Sequence, residues 1–108
     1  MKKISLSEFR DYCADRHFNN FIFSSENQAR RSVESSISMS LKFNTIKFVF
    51  NPNIIYLKNI YNDDFLKLNR VKVIKISEES SLLGEVFTVV CGDSSEESND
   101  KEYTLILR

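Results

Sequence analysis

The feature that most constrains the fold is a series of short runs between Ser35 and Ile76 in which apolar and polar residues alternate. Alternation with a period of two places the apolar side chains on one face of a β-strand, and turn-forming residues separate successive runs. Strands joined by short turns pair with their neighbours in an antiparallel sheet. The segment therefore predicts an antiparallel β-meander, onto which the rest of the chain packs.

The first run of this segment leaves two interpretations open. Apolar residues alternate through Ile37–Phe43, and their phase reverses after Asn44-Thr45, before the run Ile46–Phe50. The reversal fits either one long strand with a bulge or a hairpin whose loop is Asn44-Thr45. The hairpin is favoured because it would set the apolar side chains of the two runs opposite one another.

The later runs predict two more strands. Asn51-Pro52-Asn53 has the composition of a turn, and Ile54–Leu57 is apolar on both faces, as in a central strand. A polar turn is expected at Asn59–Asp64. The run Phe65–Ile76 predicts one further strand, and slips in its apolar phase indicate bulges or bends.

A helix precedes the meander. Ser5 and Glu8 have the spacing of a capping box, in which each side chain satisfies a free backbone N–H at the start of a helix. The sequence predicts a helix over residues 6–16. Its apolar stripe, which would dock on the sheet, consists of Leu6, Phe9 and Cys13.

The remaining segments are shorter. Phe18–Phe23 predicts a first strand, and residues 25–32 fit either a second short helix or a polar loop. Glu85–Cys91 is apolar on both faces and predicts a central strand. Residues 92–102 contain no apolar side chain and predict an acidic, mobile loop, and Tyr103–Leu107 predicts the last strand.

These elements together predict an α+β fold that is mainly antiparallel β. The N-terminal helix packs on a six- or seven-stranded meander, which forms a small barrel or a sandwich. The chain has 108 residues, enough for one hydrophobic core without staples, so we expect a single domain over 1–108 with a β-rich body over 18–108.

The sequence also predicts a compartment. No run approaches the roughly 18 apolar residues of a membrane span, and polar residues interrupt the N-terminus before any secretory signal could form. We therefore expect a cytoplasmic protein without membrane contact. In that compartment Cys13 and Cys91 would be reduced thiols rather than a disulfide.

No catalytic, metal or cofactor motif stands out. Cys13 and His17 are four residues apart, but a thiol on the apolar stripe is more simply a core residue than a nucleophile. Asp63-Asp64 lies in a turn, where acidic residues are commonplace, and no calcium-loop pattern surrounds it. A single His excludes a multi-histidine metal site. The sequence thus predicts no catalytic or metal residue and no cofactor.

Charge is distributed unevenly along the chain. Residues 1–76 carry 13 basic and 7 acidic side chains, whereas residues 77–108 carry 2 and 8. Tyr56 and Tyr61 are interleaved with the basic residues, as in grooves that bind single-stranded nucleic acid. The predicted interaction surface consists of Arg30, Arg31, Lys42, Lys47, Lys58, Lys67, Arg70, Lys72 and Lys75.

Three functions fit these features. The leading one is a small, non-enzymatic interaction or regulatory β-domain, because segments of opposite charge on one chain favour self-association or a charged protein partner. The alternative is a nucleic-acid-binding small β-barrel that uses the basic strands of residues 30–75. A third is a small enzyme or ligand binder whose site is assembled only by the fold.

Overall fold

A computed structural model describes residues 2–24, 41–78, 82, 84–92 and 100–108. One helix and nine strands lie in these ranges. In chain order they are β1 (Lys2–Ile4), α1 (Leu6–Arg16), β2 (Phe21–Ser24), β3 (Leu41–Phe43), β4 (Thr45–Val49), β5 (Ile54–Lys58), β6 (Phe65–Asn69), β7 (Val71–Ile76), β8 (Glu85–Cys91) and β9 (Lys101–Leu107).

The helix has the predicted boundaries and the predicted cap. The Glu8 N–H donates to Ser5 Oγ at 3.2 Å, and the Ser5 N–H donates to Glu8 Oε1 at 3.3 Å. The helix ends at His17, which has a left-handed φ of 53° and donates its N–H to the Cys13 carbonyl. The reciprocal bonds satisfy two N–H groups that would otherwise lack partners.

The strands form two sheets in which every paired neighbour is antiparallel. The larger sheet has the order β1-β7-β8-β9-β2-β3, and the smaller has the order β4-β5-β6. The predicted α+β class with antiparallel sheets is therefore confirmed. The predicted count of six or seven strands is too low. No closed barrel is found among the described residues, so the choice between barrel and sandwich stays a prediction.

The favoured hairpin at Asn44-Thr45 is wrong, because β3 and β4 lie in different sheets. β3 pairs with β2, whereas β4 pairs with β5. The Asn44 N–H donates to the Lys58 carbonyl at 3.1 Å, which fixes the crossing to the smaller sheet. The reversal of apolar phase marks a bend that lets Phe43 of the larger sheet and Phe48 of the smaller sheet both pack on the core. The other interpretation, one long strand with a bulge, is also wrong, because the two strands belong to different sheets.

A second crossing divides the run that was predicted as one strand from Phe65 to Ile76. The division is at Arg70, which has a left-handed φ of 56° and separates β6 from β7. The Val71 N–H donates to the Asn53 carbonyl at 3.1 Å, beside the turn at 50–53. The slips in phase that predicted a bend are therefore explained by a change of sheet.

Several boundaries also differ from the sequence prediction. β1 was not predicted. β2 begins at Phe21 rather than Phe18, because the N–H groups of Asn19 and Asn20 both donate to the Arg108 carbonyl. β9 begins at Lys101, inside the predicted loop of residues 92–102. The possible helix at 25–32 and the run before Leu41 lie outside the described residues.

One core joins the helix to both sheets. Phe9 is fully buried. The centroid of its ring lies 5.0 Å from the ring centroid of Phe87 in the larger sheet and 5.8 Å from that of Phe48 in the smaller sheet. The same cluster contains Ile55 and Leu57 from β5. A separate small cluster, Ile22, Val86 and Ile106, lies on the other face of the larger sheet.

The cap predicts a defined cost for its loss. Replacing Ser5 with Ala should lower the free energy of unfolding by about 1 kcal/mol, because the Glu8 N–H loses its acceptor. Ser5→Asp keeps a capping oxygen and should retain most of the stability. Urea denaturation of the three proteins measures the difference, and equal midpoints for Ser5→Ala and the parent would contradict the role of the cap.

Candidate functional site

The outer face of the smaller sheet gathers lysines and aromatic rings. Lys47 is paired with Tyr56, and Tyr56 with Lys67, across the three strands. Alternate residues of a strand point to opposite faces, and the other set, which includes Ile55 and Leu57, enters the core. The lysine face is defined here as two adjacent rows of this outer face. One row consists of Lys47, Tyr56 and Lys67, and the other consists of Thr45, Lys58 and Phe65.

The two aromatic rings of the lysine face lie together. The centroids of Tyr56 and Phe65 are 5.6 Å apart, with 33° between the ring planes. Phe65 is 57% exposed, and Lys67 Nζ lies 5.6 Å from the centre of the Tyr56 ring. Exposed Phe side chains are uncommon, and the Phe65 ring, packed on half-buried Tyr56, offers flat apolar surface to a partner.

A groove of about 520 Å³ runs along this face. Its walls are formed from all three strands, and Lys58 is paired with Phe65 across two of them. The residues that line the groove are Thr45, Ile46, Lys47, Val49, Tyr56, Lys58 and Phe65.

The cations of the lysine face have no acidic partner among the described residues. β4, β5 and β6 contain three lysines and no Asp or Glu. The ion pairs within the described part of the chain are Arg10–Asp11, Arg16–Glu85, Lys72–Asp100 and Lys75–Glu102. The charges of Lys47, Lys58 and Lys67 are therefore available to an anionic ligand.

The structure distributes the predicted basic surface over several places. Lys47, Lys58 and Lys67 come together on the lysine face, whereas Lys42 lies on β3 of the larger sheet. The other members are either bound elsewhere or outside the described residues. Lys72 pairs with Asp100 and Lys75 with Glu102, each at 2.8 Å, Arg70 occupies the second crossing, and Arg30 and Arg31 lie outside the described ranges.

The possible Cys13–His17 pair does not have the properties of an activated thiol. Cys13 is buried in the core, and burial followed by the charge of Glu85 raises the pKa of its thiol to about 12. His17 is exposed at the end of the helix, and its backbone N–H, rather than its ring, is bonded to Cys13. A thiol with a raised pKa carries little of the thiolate that nucleophilic chemistry needs.

Asp63 and Asp64 lie in the exposed turn between β5 and β6. Within the described ranges, no group of three or more His, Cys, Asp or Glu side chains is arranged to hold a metal ion. No helix in the described part of the chain is long and apolar enough to cross a membrane.

Sequence reasoning missed a polar cluster that fastens the helix to the larger sheet. The Tyr12 hydroxyl donates to Glu85 Oε1, and the Arg16 guanidinium lies 3.6 Å from the centre of the Tyr12 ring. Burial, followed by the bond to Glu85, raises the pKa of Tyr12 to about 12. Neutral Tyr12 remains a donor at physiological pH, so the cluster holds the helix in place.

Phe65 was also missed as a site residue, because an aromatic residue at the start of an apolar run is normally expected in a core. Its alternation with Leu66 and Leu68 was the available signal, since both of those residues pack inward.

Comparison with protein-family models, with curated proteins and with solved structures finds no match for this chain.

Because both thiols are buried, they should react slowly with thiol reagents while the protein is folded. Burial raises the pKa of Cys13 to about 12 and that of Cys91 to about 11. Because the thiolate is the reactive form, Ellman's reagent at neutral pH should titrate neither thiol in native protein and both thiols in urea. Rapid reaction of either thiol before unfolding would contradict its buried position.

The same pKa values predict that stability decreases in alkali. At pH values from about 9 to 12 the unfolded chain releases thiol protons that the folded chain retains, so the free energy of unfolding falls as pH rises. Urea midpoints measured at intervals across this range test the sign. A variant with Ala at both Cys13 and Cys91 should show a smaller decrease, and an equal decrease would assign the effect to other groups.

Proposed function

We propose that this protein binds single-stranded nucleic acid on the lysine face. The observation that carries the proposal is the set of three lysines, without acidic partners among the described residues, around half-buried Tyr56 and exposed Phe65. Lysines attract phosphates and release their counterions, and exposed aromatic rings stack on bases. The lysine face offers both contacts within two rows of one sheet.

A single strand fits this face better than a duplex. Stacking on Tyr56 or Phe65 requires a base whose flat surface is free, and paired bases cover those surfaces inside a helix. Lys47 and Lys67 flank Tyr56 in its row, while Lys58 stands between Thr45 and Phe65. Phosphates of an extended strand can therefore meet lysines on both sides of the rings.

A protein partner was the leading prediction from sequence. The argument from oppositely charged segments of the chain is weaker in the folded protein. The basic and acidic segments of the chain were expected to attract other molecules. Asp100 and Glu102 instead pair with Lys72 and Lys75 of the same molecule. Within the described residues, those acids are thus already compensated, whereas the lysine face is not.

The proposal includes no catalytic step, and the cytoplasm is the compartment in which we expect the protein to act.

The charge contribution is tested by replacing Lys47, Lys58 and Lys67 with Ser. Fluorescence anisotropy of a labelled oligothymidylate, measured at several salt concentrations, gives the affinity and its salt dependence. Each phosphate contact contributes about 0.7 to the slope of log affinity against log salt for a single strand. The triple variant should therefore lose affinity and about 2 units of slope.

A matched control removes the same number of charges elsewhere. Lys2, Lys3 and Lys101 are exposed on the larger sheet, outside the lysine face. The Lys2→Ser, Lys3→Ser, Lys101→Ser triple variant should bind with nearly the parent slope. If both triple variants weaken oligonucleotide binding equally, binding depends on the net charge of the protein rather than on the lysine face, and the proposal is wrong.

The aromatic contribution is tested separately by Phe65→Ser. Because this side chain is 57% exposed, its loss should change the urea midpoint little. Loss of one stacked base should weaken oligonucleotide binding by about 1 to 3 kcal/mol and leave the salt slope unchanged. Unchanged oligonucleotide affinity in Phe65→Ser, together with tight binding of an acidic peptide such as polyglutamate, would favour the protein partner instead.

A further inference from the structure

The turn between β5 and β6 is held by many hydrogen bonds. The Asn59 N–H donates to the Asp64 carbonyl at 2.8 Å, and the Asp63 N–H donates to the Asn59 carbonyl at 2.9 Å. The side chain of Asn59 accepts from the Tyr61 N–H at 3.0 Å, and that of Asn62 accepts from the Asp64 N–H at 3.0 Å. These bonds fix the shape of the turn from within.

The turn is also attached to the first crossing. The Ile60 N–H donates to Asn44 Oδ1 at 3.1 Å, and Asn59 Nδ2 donates to the Lys42 carbonyl at 3.3 Å. Contacts to a second part of the chain restrict the turn as a whole. Side chains that it carries therefore have a defined place relative to the smaller sheet.

This fixed turn presents two large apolar side chains to solvent. Tyr61 is 88% exposed, and Ile60 is 57% exposed. Isolated exposed apolar residues are ordinary, but Ile60 and Tyr61 follow closely on Lys58, at the end of the lysine face. Lys58 and Phe65 are partners in the last strand pair before the turn, and Phe65 is four positions after Tyr61, at most about 14 Å along the chain.

Acidic residues beside Tyr61 limit what can bind there. Asp63 and Asp64 are both exposed in the same turn. Their charges repel phosphates, whereas the lysines of the adjoining face attract them. A nucleic acid strand can therefore reach the turn with a base more easily than with its backbone.

We infer that Tyr61 stacks on one further base of the strand bound at the lysine face, and that Asp63 and Asp64 set the end of the phosphate track. The inference rests on the proposed function and defines one end of its site. It assigns two kinds of contact to two regions. Backbone charge is read by the lysines, and a terminal base is read by the turn.

Tyr61→Ala tests this role with oligothymidylates from about 4 to about 16 nucleotides, the range of known single-strand site sizes. Binding of the longer oligonucleotides should weaken roughly 5- to 150-fold, the effect of one stacked base, with no change of salt slope. The shortest should lose less, because it can occupy the lysine face alone. Tyr61→Phe should retain the parent affinity, since it keeps the ring.

Two further variants sharpen the test. Leu82 is 95% exposed and lies outside the lysine face and the turn, so Leu82→Ala removes exposed apolar surface without an expected effect on binding. Asp63→Asn with Asp64→Asn should tighten binding, most strongly at low salt, because a nearby repulsion is removed. Asn tolerates the left-handed φ of 60° at position 63, so the fold of the turn is kept.

The outcomes separate this inference from the proposal on which it rests. If the lysine triple variant loses binding while Tyr61→Ala binds long oligonucleotides like the parent, the lysine face stands and the role of the turn is wrong. Weaker binding after the two Asp→Asn changes would also overturn it. If the parent protein retains no oligonucleotide at low salt, both the proposed function and this extension are wrong.

Discussion

The packing of Phe9 is the interaction on which the rest of the structure depends. This one side chain extends from the helix to Phe87 of the larger sheet and to Phe48 of the smaller sheet. An 11-residue helix is too short to be stable alone, and a three-stranded sheet needs a surface on which to bury one face. Each of the three layers therefore owes its stability to the same shared core.

A shared core determines which surface of the smaller sheet is left for function. The inner residues of β5, Ile55 and Leu57, are fully buried, so the intervening Tyr56 must point to the opposite side. The two crossings at Asn44 and Arg70 hold this arrangement at both ends of the sheet. A slip of one residue in β5 would bury Tyr56 and expose Ile55 and Leu57, so the core itself fixes the register of the lysine face.

Local features of the fold were predictable from sequence, whereas long-range pairing was not. The capping box at Ser5 and Glu8 marked the start of the helix, because capping depends on residues three apart. The reversal after Asn44 is also visible locally, but a hairpin and a change of sheet produce the same apolar pattern. The partner of β3 is β2, and the sequence between Leu41 and Val49 carries no mark of that pairing.

The second crossing was hidden for a related reason. Left-handed backbone is normally signalled by Gly or Asn, and here the residue is Arg70. For the candidate site, sequence identified the lysines and Tyr56 as one interleaved set. It could not show that Lys72 and Lys75 are bound by acids more than 25 residues away, since that depends on the order β7-β8-β9. Phe65 was missed because it begins an apolar run, although its alternation with Leu66 and Leu68 indicates that it faces the opposite side.

Strand order also explains why lysines without an acidic partner among the described residues collect on the smaller sheet. Its three strands all come from residues 45–69, within the basic part of the chain, and no described strand from the acidic C-terminal part pairs with them. The larger sheet instead places basic β7 near β9, where Asp100 and Glu102 compensate Lys72 and Lys75. A chain with no net charge thus obtains a cationic face by topology, because the larger of its two described sheets mixes the basic and acidic segments and the smaller does not. Overall charge is consequently a poor guide to the ligands of such a protein, and the local balance on each sheet is the quantity that decides which polyions it attracts.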